Sequence, residues 1–171
     1  MFNFNSRLSS RRHTKIAASM AAMTLMTVGL VTTATPAHAA AKCVTATEWT
    51  LYGDVNTKTL RGYSVKLQSG RTSAAARAQS NVPPGGIISI DRSINQFTPT
   101  AAEKSTGHGW RTTTQVANNG GYDYCEGKNT AGSTVFMSTK SVEGSYNAVR
   151  QCLRVSGTIE CSSQWYVDFD D

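Results

Sequence analysis

The chain has 171 residues, 17 of them Lys or Arg and 11 Asp or Glu, for a formal charge of +6. At 39% hydrophobic and 16% charged residues it is too apolar for a disordered chain and too polar for a multi-span membrane protein. The length suits one domain, and the positive charge raises nucleic acid as a partner until its location is known.

The location changes the reading. Arg7, Arg11, Arg12 and Lys15 precede an Ala/Met/Leu/Val run from Ile16 to about Ala34, and Pro36 and Ala37-His38-Ala39 follow. A basic stretch, an apolar stretch and A-x-A form the pattern of a cleaved secretory signal, here in a bacterial style. Cleavage is expected after Ala39, with a second option after Ala41. Ser10-Arg11-Arg12 is followed by Thr14 and Lys15 instead of the large apolar residues of a twin-arginine signal, so general secretion is the preferred route. Removing residues 1–39 takes away four basic and no acidic residues, leaving 132 residues at +2, 13 basic against 11 acidic. Nucleic acid is therefore not an expected partner. The mature form, residues 40–171, is read as a single extracellular domain without a membrane span.

Cys43, Cys125, Cys152 and Cys161 all lie in the mature part, and an even count in an exported protein reads as two disulfides. If Ser156-Gly157 is a two-residue hairpin loop, Val155 faces Thr158 and Cys152 faces Cys161. The cysteines then fall on a non-hydrogen-bonded pair, where Cα atoms lie about 4.5 Å apart, within disulfide reach. Cys43–Cys125 follows by elimination.

In chain order, Val44–Tyr52 reads as a strand ended by Gly53-Asp54. Arg61–Gln68 alternates cleanly and reads as a half-buried strand turned by Ser69-Gly70. The Ala-rich stretch Thr72–Ser80 reads as a short surface helix. Asn81–Gly86 is a rigid proline loop, of a kind that inhibitors of secreted hydrolases display, and Ile87–Asp91 is a strand. A helical turn is expected near Ala101–Lys104. Trp110–Val116 and Gly121–Glu126 are expected to form a hairpin, and Thr134–Thr139 a strand. Tyr146–Val155 and Thr158–Phe169 close the domain, with a bulge at Ser162-Ser163 correcting the phase of Trp165, Val167 and Phe169. The predicted fold is all-β: a small antiparallel β-sandwich or barrel of about seven to nine short strands, at most one short surface helix, and two disulfides.

Catalytic candidates are few. After signal removal His108 is the sole histidine, so histidine-dependent chemistry must run through it, with Glu103, Asp91 or Asp123 as partner. His108, Glu103, Arg111 and Arg92 lie close enough in sequence for a small nuclease site. Paired carboxylates for glycan hydrolysis can be drawn from Glu48, Asp91, Glu103, Glu126, Glu143 and Glu160, but sequence does not place any two of them. No C-x-x-C or H-E-x-x-H spacing points to zinc, and Asp168, Asp170 and Asp171 read as a solvated acidic end, so no metal and no cofactor is expected. Trp110, Tyr122 and Tyr124 are the candidate ligand-stacking residues, with Trp49 and Trp165 assigned to the core. The expected function is a small secreted, disulfide-stabilised binding protein, monomeric or weakly oligomeric, whose partner is an extracellular protein such as a hydrolase, or a cell-wall glycan. The alternative is a small secreted hydrolase using His108.

Overall fold

A computed structural model describes Cys43, residues 51–71, Ser73 and residues 75–170. The proposed signal, most of the strand expected at Val44–Tyr52, and Trp49 lie outside the described residues. Eleven strands and two short helices follow in the order β1 (Tyr52–Leu60), β2 (Tyr63–Gly70), β3 (Ala75–Val82), β4 (Ile87–Ser93), α1 (Ala101–Thr106), β5 (His108–Thr112), α2 (Thr113–Asn118), β6 (Tyr122–Lys128), β7 (Val135–Ser138), β8 (Val142–Glu143), β9 (Ala148–Val155), β10 (Thr158–Cys161) and β11 (Gln164–Asp168). They form two antiparallel sheets. The first runs β1-β2-β3-β7, with β8 also on β3; the second runs β5-β11-β9-β4-β6, with β10 also on β9. The arrangement is a sandwich and not a closed barrel.

The main core lies between the sheets. Val65 and Leu67 of β2 and Ala76, Ala78 and Val82 of β3 meet Ile88 and Ile90 of β4 and Val149 and Leu153 of β9, all at most 1% exposed. These alternate along their strands, as one buried face of each sheet requires. A second cluster, Val116, Ala148, Trp165, Val167 and Phe169, lies on the outer face of the second sheet, where α2 supplies Val116.

The stretch expected to be helical is β3. Its Ala run has helical propensity, but Ala76, Ala78, Ser80 and Val82 alternate into the sandwich while Arg77, Gln79 and Asn81 alternate away from it. Packing between two sheets outweighs a propensity worth a few tenths of a kcal/mol per residue. Gly53-Asp54 does not end a strand: β1 passes through it, with a register shift between Asp54 and Asn56. Ser69-Gly70 also remains in β2, and the turn into it is Arg61-Gly62, both at positive φ (52° and 83°) as a two-residue type I′ loop needs.

The hairpin expected over residues 110–126 does not form. After β5 the chain enters α2, because Thr112 and Gln115 make a capping box: Gln115 N donates to Thr112 Oγ1 at 3.2 Å and Thr112 N donates to Gln115 Oε1 at 2.8 Å. β5 then pairs with β11, and β6 with β4. The same device, Thr100 with Glu103, starts α1 at the helical turn expected near Ala101–Lys104. The described residues thus contain two short helices, at Ala101–Thr106 and Thr113–Asn118.

The last hairpin has the expected register, Val155↔Thr158 through Cys161↔Cys152, turned by Ser156 (φ 50°) and Gly157 (φ 80°). Both disulfides form as expected, Cys43–Cys125 with Cα atoms 5.5 Å apart and Cys152–Cys161 with 4.0 Å. The break at Ser162-Ser163 acts differently from the expected bulge. Unbroken pairing would set Gln164 opposite Val149, whereas Tyr166 occupies that place. A slip of two residues leaves the side-chain parity unchanged, so Trp165 and Val167 stay on the outer face and build the second cluster.

Candidate functional site

The outer face of the second sheet carries a cleft of about 450 Å³. Its floor follows from register. Asp91 on β4 stands between Tyr124 on β6 and Arg150 on β9, and one pleat along the strands Ser89 stands between Glu126 and Cys152. Same-face neighbours on adjacent strands are in contact, so three strands bring these side chains together. Tyr122 and Tyr124 form one flank; Arg154, Ile159 and Cys161 form the other.

The cleft is organised by a buried ion pair. Arg150 Nε donates to Asp91 Oδ2 at 2.9 Å, with the two side chains 10% and 5% exposed. The Arg150 guanidinium also lies over the Trp165 ring (4.3 Å to its centroid) and beside Tyr122 (5.0 Å). Tyr122 and Trp165 are themselves 5.2 Å apart, ring to ring. Desolvated cation–π contacts of this kind are worth up to about 2 kcal/mol. Removing one member of a buried ion pair typically costs about 3–5 kcal/mol. The floor is therefore held in one arrangement, as a preformed site requires.

The side chains named from the sequence divide between two faces. Tyr122 and Tyr124 line the cleft. Trp110 does not join them: it pairs in register with Tyr166, which pairs with Val149 of the inner face. There Trp110 is 39% exposed and packs edge-on against Tyr166 (5.5 Å), which also stacks with His108 (5.9 Å). Trp165 is fully buried, as expected.

His108 and Arg111 stand at positions of opposite parity on β5, so they project to opposite faces. Arg111 forms a double ion pair with Glu103, through Nη1–Oε1 and through Nη2–Oε2 at 3.1 Å. Hydrogen bonding from Arg111, then from the Thr100 backbone, lowers the Glu103 carboxyl to a pKa of about 2. It is held ionised by the pair and the helix cap. The His108 ring is exposed, and its Nδ1 donates to the Thr106 carbonyl at 2.9 Å. Asp91, one suggested partner of His108, is bound to Arg150 instead. The structure thus joins Glu103 with Arg111 and leaves His108 on the other face.

Comparison with family models, curated proteins and solved structures finds no match. What the site can do must be read from its own chemistry. Asp91, Cys152 and Cys161 place one ligand atom each within 4.8 Å of one another, but the two sulfurs are bonded together and offer no thiolate to a metal. Asp168 accepts from Ser69 Oγ at 2.7 Å and from Asp170 N at 3.2 Å. Asp171, the remaining acid of that C-terminal group, lies outside the described residues. Of the proline loop Asn81–Gly86, Asn81, Pro84 and Gly85 are exposed, and Val82, Pro83 and Gly86 are buried.

Sequence reading missed Arg150 and the position of the disulfide in the cleft wall. Asp91 and Arg150 are 59 residues apart, and no local motif joins them. The signal that could have found them was the alternation itself: Ser89 and Asp91 flank Ile90 on one strand, and Arg150 and Cys152 alternate with Val149, Gln151 and Leu153 on another.

Proposed function

We propose that this chain is a binding protein of the extracellular space, and that its ligand site is the outer cleft of the second sheet, taking a short glycan. The observation that carries this reading is the cleft: about 450 Å³, flanked by Tyr122 and Tyr124 and floored by the buried Asp91–Arg150 pair. That volume lies within the range of small-molecule sites, and the mixture of aromatic faces with a few fixed polar groups is their usual lining. A sugar ring has an apolar C–H face for the tyrosine rings and hydroxyl edges for Glu126 and Arg154.

Export is part of the proposal. Support comes from the basic–apolar–A-x-A pattern of residues 1–39 and from two disulfides, which persist in oxidising compartments. An intact mass of the secreted protein that retains residues 1–39 would refute this part.

Titration calorimetry with soluble cell-wall saccharides tests the site. Binding is expected, and Tyr124→Ala should weaken it roughly tenfold, about 1.4 kcal/mol. His108→Ala should leave it unchanged. Binding that survives Tyr124→Ala intact, or no heat with any saccharide of the panel, would rule out the glycan cleft. Loss with His108→Ala would move the site to the His108–Tyr166–Trp110 group on the opposite face.

A further inference from the structure

The two sulfurs of the Cys152–Cys161 bridge are unequal. Cys152 is fully buried, while Cys161 is partly exposed and forms part of the cleft wall. Oδ2 of Asp91 lies 3.3 Å from Cys152 Sγ, and the same oxygen accepts from Arg150 Nε at 2.9 Å. A disulfide sulfur has no proton to donate, so this contact is a hydrogen bond only when Cys152 is a thiol. The fold thus holds an acceptor in place for a proton that appears on reduction.

The bridge also joins strands that are already paired. It joins residues nine apart across adjacent strands, and β9 remains hydrogen-bonded to β4 and β11 without it. Cys43–Cys125 also has one exposed sulfur, Cys43, but it spans 82 residues, and the sulfur that its opening would release, Cys125, sits in the apolar main core at 1% exposure.

We propose that Cys152–Cys161 is a thiol–disulfide exchange site for a low-molecular-weight thiol entering the cleft, with Cys161 the sulfur attacked, Cys152 the sulfur released, and Asp91 the positioning residue that accepts from the released thiol. The incoming thiol ionises to solvent and its thiolate attacks Cys161 Sγ. A bond forms between those two sulfurs as the Cys152–Cys161 bond breaks. The electron pair leaves on Cys152 Sγ, which takes up the proton given up by the incoming thiol and, as an S–H, hydrogen-bonds to Asp91 Oδ2. One thiol is consumed, and the products are a mixed disulfide at Cys161 and a thiol at Cys152. A second thiol then attacks the mixed disulfide, leaving the protein dithiol and the oxidised form of the small thiol. Attack is directed by access, since exchange needs approach to one sulfur. This chemistry belongs to the cleft wall and holds whether or not the tyrosines bind a glycan.

The test uses the full chain, oxidised and folded, incubated with N-acetylcysteine, quenched by alkylation and mapped by mass spectrometry. Cys152–Cys161 is expected to open at least tenfold faster than Cys43–Cys125, with the N-acetylcysteine adduct on Cys161 and the far-UV dichroism unchanged. Equal rates, an adduct mainly on Cys152, or loss of the fold on opening this bridge would each overturn the proposal. For Asp91, the double variant Asp91→Leu/Arg150→Met removes the acceptor without stranding a buried cation. It should shift the thiol–disulfide equilibrium at least fivefold toward the disulfide, while the matched variant Asp91→Asn/Arg150→Met, which keeps an acceptor oxygen, stays near the parent value. An equilibrium unmoved in Asp91→Leu/Arg150→Met, or equally shifted in Asp91→Asn/Arg150→Met, would overturn the part assigned to Asp91.

Discussion

Gln151 is a polar side chain placed inside the sandwich at a cost. It is fully buried on β9, facing the first sheet between Val149 and Leu153, and neither Nε2 nor Oε1 has a hydrogen-bond partner among the described residues. A buried polar group left unpaired costs about 1–3 kcal/mol, whereas an apolar group of the same shape costs nothing comparable. Gln151→Met keeps the length of the side chain and removes both polar atoms. It should stabilise the protein by about 1–3 kcal/mol, seen as a higher urea midpoint with unchanged slope. A lower midpoint would show that the amide is paired in solution. Glu103 makes the opposite case, a polar group with more partners than it has oxygens. Its pKa falls from 4.5 to about 2 in the folded chain, chiefly through Arg111. The folded state therefore binds this proton more weakly than the unfolded state does. Its contribution is complete above about pH 4.5 and is lost as pH falls toward 2. Glu103→Gln keeps a side chain able to cap Thr100 but removes the charge. Melting temperature should then fall less steeply over that interval than in the parent protein. Part of the slope will remain, because Asp54 is also lowered, by hydrogen bonds from Gln68 and Lys66. An unchanged slope would mean that the pair with Arg111 does not couple to folding.

Elements were legible where a periodic pattern and a turn agreed. The hairpin β9–β10 is the clearest case. A two-residue loop fixes register, and register places Cys152 against Cys161 without further information. β3 shows the limit. Ala76, Arg77, Ala78 and Gln79 alternate in polarity as a strand should, but Ser80 breaks the pattern and alanine is a weak marker of burial, so helical propensity is the stronger local signal. What decided the structure was the second sheet above it, which a reading of one segment does not contain. α2 failed for a different reason. Its signal, Thr112 followed by Gln115, is present, but aromatic and β-branched neighbours outweigh a capping box in a local reading. The cleft was half legible. Tyr122 and Tyr124 were found as aromatics beside a turn. Their relation to Asp91 and Arg150 is a product of strand order, since β4 lies between β9 and β6 although β5, two helices, β7 and β8 intervene in sequence. Trp110 was grouped with the tyrosines for the same reason: sequence proximity does not say which face of a sheet a residue takes.

At the scale of the whole molecule the disulfides offset a lean interior. Val, Ile, Leu, Met, Phe, Trp and Tyr make up 32 of residues 40–171. Several positions between the sheets are Ala or Ser, which bury little apolar area. Domains of this size are stable by about 5–15 kcal/mol, so a few kcal/mol from cross-links is a large share. The chain-entropy model gives about 4.5 kcal/mol for the long loop closed by Cys43–Cys125 and about 2.7 kcal/mol for the short loop closed by Cys152–Cys161. The structure widens that difference. Cys125 belongs to the main core and ties β6, an edge strand, to a distant part of the chain, whereas Cys152 and Cys161 join strands already paired. Replacing Cys43 and Cys125 together by Ala should therefore lower the urea midpoint more than replacing Cys152 and Cys161 together by Ser. The second variant should remain folded at room temperature and still bind through Tyr124. If the short bridge proved the costlier to remove, the stability of the sandwich would reside in the β9–β10 hairpin, and an exchange site there would be incompatible with the fold that carries it.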